Sequence, residues 1–114
     1  MRIGELATRS GVSVRALRYY EEQGLLVAER SPSGQRHYPE SAVEKVHFFQ
    51  DMYSAGLTSK RIAELMPCFD TGHTDAEQRS MLHAERDRIH ERVTQLTAAL
   101  RRLDSVIAVA DTHP

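Results

Sequence analysis

Residues 3–38, IGELATRSGVSVRALRYYEEQGLLVAERSPSGQRHY, decide how the chain is read. Ile3, Leu6 and Ala7 recur at helical spacing and give a first helix one apolar side. Ser10-Gly11 ends it, because glycine accepts the positive φ that closes a helix. Val12 is placed to plug the gap before a second helix. Ser13 stands where an N-cap belongs, its hydroxyl free to accept from an otherwise unpaired backbone N–H. The second helix is expected over about Val14 to Glu22. Val14, Leu17 and either Tyr20 or Glu21 point towards the first helix, and Gly24 stops it. Arg15, Arg18 and Tyr19, at i, i+3 and i+4, share the opposite face.

Two short helices across a tight turn, with two arginines and a tyrosine on the free side of the second, suit the major groove of duplex DNA. Arginine pairs bidentately with guanine O6 and N7, and all three side chains reach phosphates. The following stretch reads as a hairpin. Leu25-Leu26-Val27 is a short β-prone run, Ser31-Pro32-Ser33-Gly34 is turn chemistry, and Gln35-Arg36-His37-Tyr38 returns. Arg30, Arg36 and Tyr38 would flank its tip and touch the backbone beside the groove, which positions a protein without reading sequence. Taken singly, the arginine face could be a solvated surface and the hairpin a charged loop. Their order, together with the cap and turn, favours a recognition helix with a wing.

These residues resemble the MerR family of bacterial transcription regulators. The similarity rests on I-G-E-L-A near the start, G-V-S-V-R-A-L-R-Y-Y-E-E-Q-G-L-L across the recognition helix, and R-x-x-x-G-x-R-x-Y in the wing. It is close over about the first seventy residues and architectural beyond them. Several members carry an aromatic where this chain has Gln35. The resemblance implies a homodimer on a pseudo-palindromic promoter element, which distorts the DNA so that RNA polymerase engages widely spaced promoter elements. Carried over by position, Arg15, Arg18 and Tyr19 are groove and phosphate contacts, and Arg36 and Tyr38 wing contacts; Ser13 and Arg30 complete the expected DNA-binding set. Lys60 or Arg61, at the start of a later helix, adds a second backbone anchor.

The chain has 114 residues and a formal net charge of −1. It can bury one small core but scarcely two. An overall negative charge suits a DNA binder poorly, but the charge is not evenly spread. Residues 1–38 hold six Arg against four Glu, while residues 39–70 hold three basic against five acidic residues. Locality of charge matters more than its sum, and salt-sensitive binding by two joined half-sites is expected. The single Cys excludes an internal disulfide framework and fits a reducing compartment. No run is apolar enough for a membrane span and no leader is evident, so the expected location is the bacterial cytoplasm, at the nucleoid.

Pro39-Glu40 is expected to open a third helix, with Val43, Val46, Phe49 and Tyr53 inward, Phe48 and Met52 widening that stripe, and Gly56 closing it. Thr58 is an N-cap for a short fourth helix holding Ile62, Leu65 and Met66, which Pro67 helps end. From Asp75 the pattern changes. Ile89, Val93, Leu96, Leu100, Leu103, Ile107 and Ala110 alternate steps of four and three, with Leu82 in the same register and Arg86 interrupting it. A heptad repeat predicts a helix roughly 50 Å long packed along a narrow seam. The expected partner is a second copy through Leu82, Ile89, Val93, Leu96, Leu100, Leu103 and Ile107. Heptads leave its direction open; the family resemblance implies an antiparallel pair. A helix folded back on its own head is the alternative.

The expected fold is therefore mainly α: a winged helix-turn-helix DNA-binding head followed by a long dimerising coiled-coil helix. The head spans about 1–70, with the helix-turn-helix over about 3–23, the wing over about 25–38 and two further helices over about 39–66. A linker follows over 67–74, then the dimerisation helix over 75–110 and a tail over 111–114.

Regulation is less legible. A fused ligand domain would need more chain after the long helix. Soft-metal sensors of the family carry a cysteine near the start of the dimer helix and more beyond its end. Cys68 precedes that helix and no cysteine follows, so no metal ligand set and no cofactor is expected. Some small members respond to oxidants, electrophiles or aldehydes through a lone cysteine nearer the end of the third helix, where this chain has Met52-Tyr53-Ser54. Cys68 is read first as an apolar plug, then as a redox or electrophile sensor, and last as a metal ligand with His73; no basic neighbour in sequence lowers its thiol pKa. His83 and His90, seven apart on one helix face, could meet their copies in a dimer but read first as surface residues. His37 and His47 read as wing and helix-surface residues. An architectural DNA-bending protein of the excisionase type is the competing function, and the heptads argue against it. An enzyme is not expected, since no phosphate-binding glycine loop and no nucleophile–base set occurs.

Overall fold

The computed structural model describes residues 1–114. They form two units, residues 1–73 and 74–114. In the first, α1 (Ile3–Ser10) and α2 (Val14–Glu22) flank a turn at Gly11, whose φ of 73° is the left-handed value the helix end requires. Val12 fills the turn, 8% exposed, and the Ser13 hydroxyl accepts from the Ala16 amide at 3.1 Å. Leu6 and Leu17 are fully buried where the two helices meet α3 (Ala42–Ser54). Val46 and Phe49 of α3 complete the centre, and the Tyr20 ring meets Phe49 edge-on with centroids 5.5 Å apart. Ile62, Leu65 and Met66 line the buried side of α4 (Ser59–Thr71), capped by Thr58, whose hydroxyl accepts from the Arg61 amide.

Four expectations need correction. Leu25-Leu26-Val27 is not the first hairpin strand. The amides of Leu25 and Leu26 both donate to the Tyr20 carbonyl, which ties the run to the end of α2 and buries both leucines. The hairpin consists of β1 (Glu29–Arg30) and β2 (Arg36–His37), antiparallel, with Glu29 opposite His37 and Arg30 opposite Arg36. Pro39-Glu40 forms a turn ahead of α3, their carbonyls accepting from the amides of Ala42 and Val43, and the helix proper starts at Ala42.

Pro67 does not end α4, and 67–74 is not simply a linker. The helix runs through Pro67 to Thr71 and stops at Gly72, φ 68°. Proline removes one intrahelical donor, but tertiary contacts outweigh that loss. Phe69 lies 5.6 Å from Phe48, and Asp70 pairs with Lys45 across to α3. Cys68 is consequently a half-buried helical residue.

The second unit is α5 (Ala76–Thr112), 37 residues begun by a capping box in which Asp75 and Gln78 satisfy each other's backbone amides. Its heptad residues Val93, Leu96, Leu100, Leu103 and Ile107 are 47–59% exposed, and Val106 and Val109 extend the apolar stripe. Leu82 and Ile89 are half-buried. No helix of the chain is long and apolar enough to cross a membrane.

Candidate nucleic-acid interface

Every amphipathic helix in a small head buries one side; what remains is set by which charges the fold neutralises. In residues 1–73 the cations fall into two sets. Arg9 pairs with Glu40, Arg36 with Glu21, Lys45 with Asp70 and Arg61 with Glu64. Arg15, Arg18 and Lys60 have neither carboxylate nor hydrogen-bond partner, and all three are exposed. Arg2 and Arg30 meet only neutral acceptors, the Gln35 side chain and the Gly34 carbonyl. A cation left unpaired by its own fold keeps its full charge for a ligand, and here the helix turning Leu17 and Tyr20 inward presents two of them outward.

Tyr19 is 46% exposed beside them, its ring 6.4 Å from that of Tyr53. Tyr20 and Tyr53 stack with centroids 5.7 Å apart, and the Tyr53 hydroxyl bonds to Ser59 at the start of α4. Burial pushes that hydroxyl above its ordinary range, with the Ser59 bond acting against it. The three rings, Ser13, Arg15 and Ala16 line an open cleft of about 490 Å³ on this side of the recognition helix. Ser13, Arg15 and Tyr19 line this cleft together, with Lys60 one residue beyond Ser59.

The wing differs from expectation at Tyr38. It is 2% exposed, and its hydroxyl donates to Glu21 of α2. A buried phenol cannot reach a phosphate, so Tyr38 supports the wing rather than contacting DNA. The physical reason is the charge of Glu21, which also takes the Arg36 guanidinium at 2.7 Å and clamps the hairpin to the recognition helix. Arg61, engaged by Glu64 at 2.8 Å, is a weaker anchor candidate than its unpaired neighbour Lys60. Sequence reading missed this use of Glu21, and it missed Arg2. Arg2, Ile3, Arg18, Gln35, Arg36 and Tyr38 line a second, half-open cavity of about 260 Å³ between the start of α1, α2 and β2. Only the chain fold brings residues 2, 18 and 35–38 together, so no local pattern could have found it.

The remaining candidates are scattered. His47 Nε2 donates to the Ser10 carbonyl at 3.0 Å, linking α3 to α1. His83 and His90 are exposed on α5. No group of three or more His, Cys, Asp or Glu is placed to hold a metal ion.

Over residues 1–67 the sequence matches the MerR HTH family of regulatory proteins. The chain is 30% identical to the HTH-type transcriptional regulator HmrR of Rhizobium leguminosarum bv. viciae, over 94% of this chain and 84% of that protein. Its fold superposes with a TM-score of 0.83 and 31% identity on a MerR family transcriptional regulator from Listeria monocytogenes, over 99% of this chain and 87% of that one. The fold is also that of HiNmlR, a MerR family regulator lacking the sensor domain, bound to promoter DNA. That likeness has a TM-score of 0.79 and 23% identity, over 94% of this chain and 86% of that chain. With the winged helix-turn-helix lying inside the matched residues, the chain belongs to the MerR HTH family and is a DNA-binding transcription regulator.

Proposed function

We propose that two copies of this chain bind a pseudo-palindromic promoter element together and distort it, altering how RNA polymerase engages the promoter. The observation that carries the reading is the unpaired cationic face of α2. Arg15 and Arg18 are exposed and unneutralised beside Tyr19, although the chain as a whole has a net charge of −1. Arg18 reads a base edge, Arg15 and Tyr19 reach phosphates, and Lys60 anchors the flanking backbone, with the Ser13 hydroxyl and Arg30 at the margins. The exposed apolar stripe of α5 supports the dimer, because a row of residues 47–59% exposed at heptad spacing is stable in water only against a complementary row. Two recognition helices then meet two half-sites. The protein acts by binding rather than by catalysis, in the cytoplasm at the nucleoid.

The test is binding of purified protein to fragments of its own upstream region, followed by transcription from a bound promoter. Specific, salt-sensitive binding and promoter-dependent transcription support the reading. Equal affinity for upstream and random fragments, with bending of both, would favour an architectural role. Adding a thiol-reactive compound or a divalent metal asks whether Cys68 senses anything; a response that survives Cys68→Ser does not come from that thiol.

A further inference from the structure

Beside the apolar stripe of α5 runs a polar row: His83, His90, Thr97, Asp104 and Asp111, each seven residues from the next. Heptad spacing puts all five along one edge of the seam, and all are exposed. Neither imidazole has a hydrogen-bond or ion-pair partner within the chain, and neither carboxylate has one. The row is self-complementary in one direction only, with imidazoles at its start, carboxylates at its end and a neutral threonine between. In an antiparallel pair this edge faces its own copy. Turning it about Thr97 sets His90 against the partner's Asp104 and His83 against the partner's Asp111. A parallel pair would instead set the aspartates beside the partner's apolar Ala99 and Val106, and Arg86 against its own copy.

The same arrangement also fills the apolar seam. Ile89 meets the partner's Ile107, Val93 the partner's Leu103, and Leu96 the partner's Leu100. Arg86 stands opposite the partner's Ala110 at the mouth of the seam, where its guanidinium reaches water. Slipping by one heptad in one direction strips Ile89 of its layer. Slipping in the other sets Arg86 opposite the partner's Leu103 inside the seam, an unpaired buried charge. Leu82, already half-buried, falls outside the overlap.

We propose that two α5 helices pair antiparallel in this register, held by His90 with the partner's Asp104 and His83 with the partner's Asp111, so that protonation of the histidines tightens the dimer. The inference rests on the homodimer reading and adds its register and its response to pH. Imidazole ordinarily titrates at about pH 6.5. Its charged form gains a carboxylate only in the dimer, so the added affinity is complete below that range and lost as pH rises through it. The other charges around His90 are Arg86, Asp87 and Glu91 on its own helix and the partner's Arg101 beside Asp104. Around His83 they are Arg79, held by Thr74, and Arg86, 3.8 Å from Asp87. Arginines and carboxylates ordinarily keep their charge between about pH 6 and 8, so the histidines supply the response.

The experiment measures the dimer dissociation constant of the full chain by sedimentation at serial dilution, at pH 6 and pH 8. The chains compared are wild type, His90→Asp, Asp104→His and the double variant. Positions 90 and 104 lie about 21 Å apart along one helix, so any coupling between them runs between copies. Each single change sets like groups against each other twice per dimer and is expected to weaken it about fivefold at pH 6. The double change restores the pair with its sides exchanged and should return affinity to within about twofold of wild type. Wild type itself is expected to dimerise about fivefold more tightly at pH 6 than at pH 8, and His83→Asn with His90→Asn to lose that difference.

Losses that simply add in the double variant overturn the proposal, as does a wild-type dimer equally tight at both pH values, a comparison that needs no variant. Wild type that stays monomeric at every concentration would instead sink the homodimer reading, a different outcome from a dimer whose histidines are silent.

Discussion

Arg18 and Glu21 lie one helical turn apart on α2 and show how the same helix both reads and braces. Arg18 is exposed with no partner, whereas Glu21 has 16% of its side chain exposed and holds both the Tyr38 hydroxyl and Arg36. Substituting Arg18→Ala removes only a solvent-facing group. We expect it to reduce operator affinity by about 1–3 kcal/mol and to relax selectivity at one base position, with folding unchanged. Unaltered selectivity between operator and random DNA would remove Arg18 from base readout. Glu21→Ala is different, because it leaves the buried Tyr38 hydroxyl without its acceptor. An orphaned buried hydroxyl costs about 1–3 kcal/mol. Adding Tyr38→Phe should recover part of that loss, since the second change deletes the orphan; denaturant unfolding of the two single variants and the double reads the coupling. Losses that simply add would mean the two side chains do not share an interaction.

Among the elements, α4 shows tertiary contacts overriding a local stop signal. Pro67 is exposed and sits inside the helix, and its lost donor is tolerated because Phe69 and Asp70 beyond it are tied to Phe48 and Lys45. An interior helical proline costs about 3 kcal/mol relative to alanine, part of which its stiffening of the unfolded chain offsets. Pro67→Ala is therefore expected to raise the melting temperature, by a stabilisation of roughly 1–2 kcal/mol. A lower melting temperature would show that the ring makes a needed contact. The starts of the other helices follow local rules more faithfully. Ser13, Thr58 and Asp75 each accept from the amide three residues on, as their side chains and positions dictate.

For the whole molecule, the exposed stripe on α5 is the feature that a single copy leaves unexplained. Leu96→Glu combined with Leu103→Glu places charges where burial is expected, and burying an unpaired carboxylate is prohibitive. Sedimentation should then report a monomer, and operator binding should fall steeply because two half-sites are no longer bound as one unit. A double variant that still sediments as a dimer would put the seam elsewhere. The core residues Leu6, Leu17, Val46, Phe49 and Ile62 all lie in residues 1–73.

Local sequence by itself determined the helix-turn-helix with its cap at Ser13 and turn at Gly11, the outward face of Arg15, Arg18 and Tyr19, the hairpin tip, and the long capped helix after Asp75. Those features follow from rules that act within about a turn of helix or a four-residue loop: periodicity, side-chain capping and positive-φ glycine. Only the tertiary structure decided the rest. Leu25 and Leu26 surrendered their strand propensity to the Tyr20 carbonyl, and Pro67 stayed helical under contacts from α3. Tyr38 went inward because Glu21, seventeen residues earlier, supplied its acceptor. Arg2, Arg18 and Gln35 gathered around one cavity, with Arg2 donating to the Gln35 side chain. Which charges stay unpaired depends on distances between residues remote in the chain, and no periodic pattern encodes those distances.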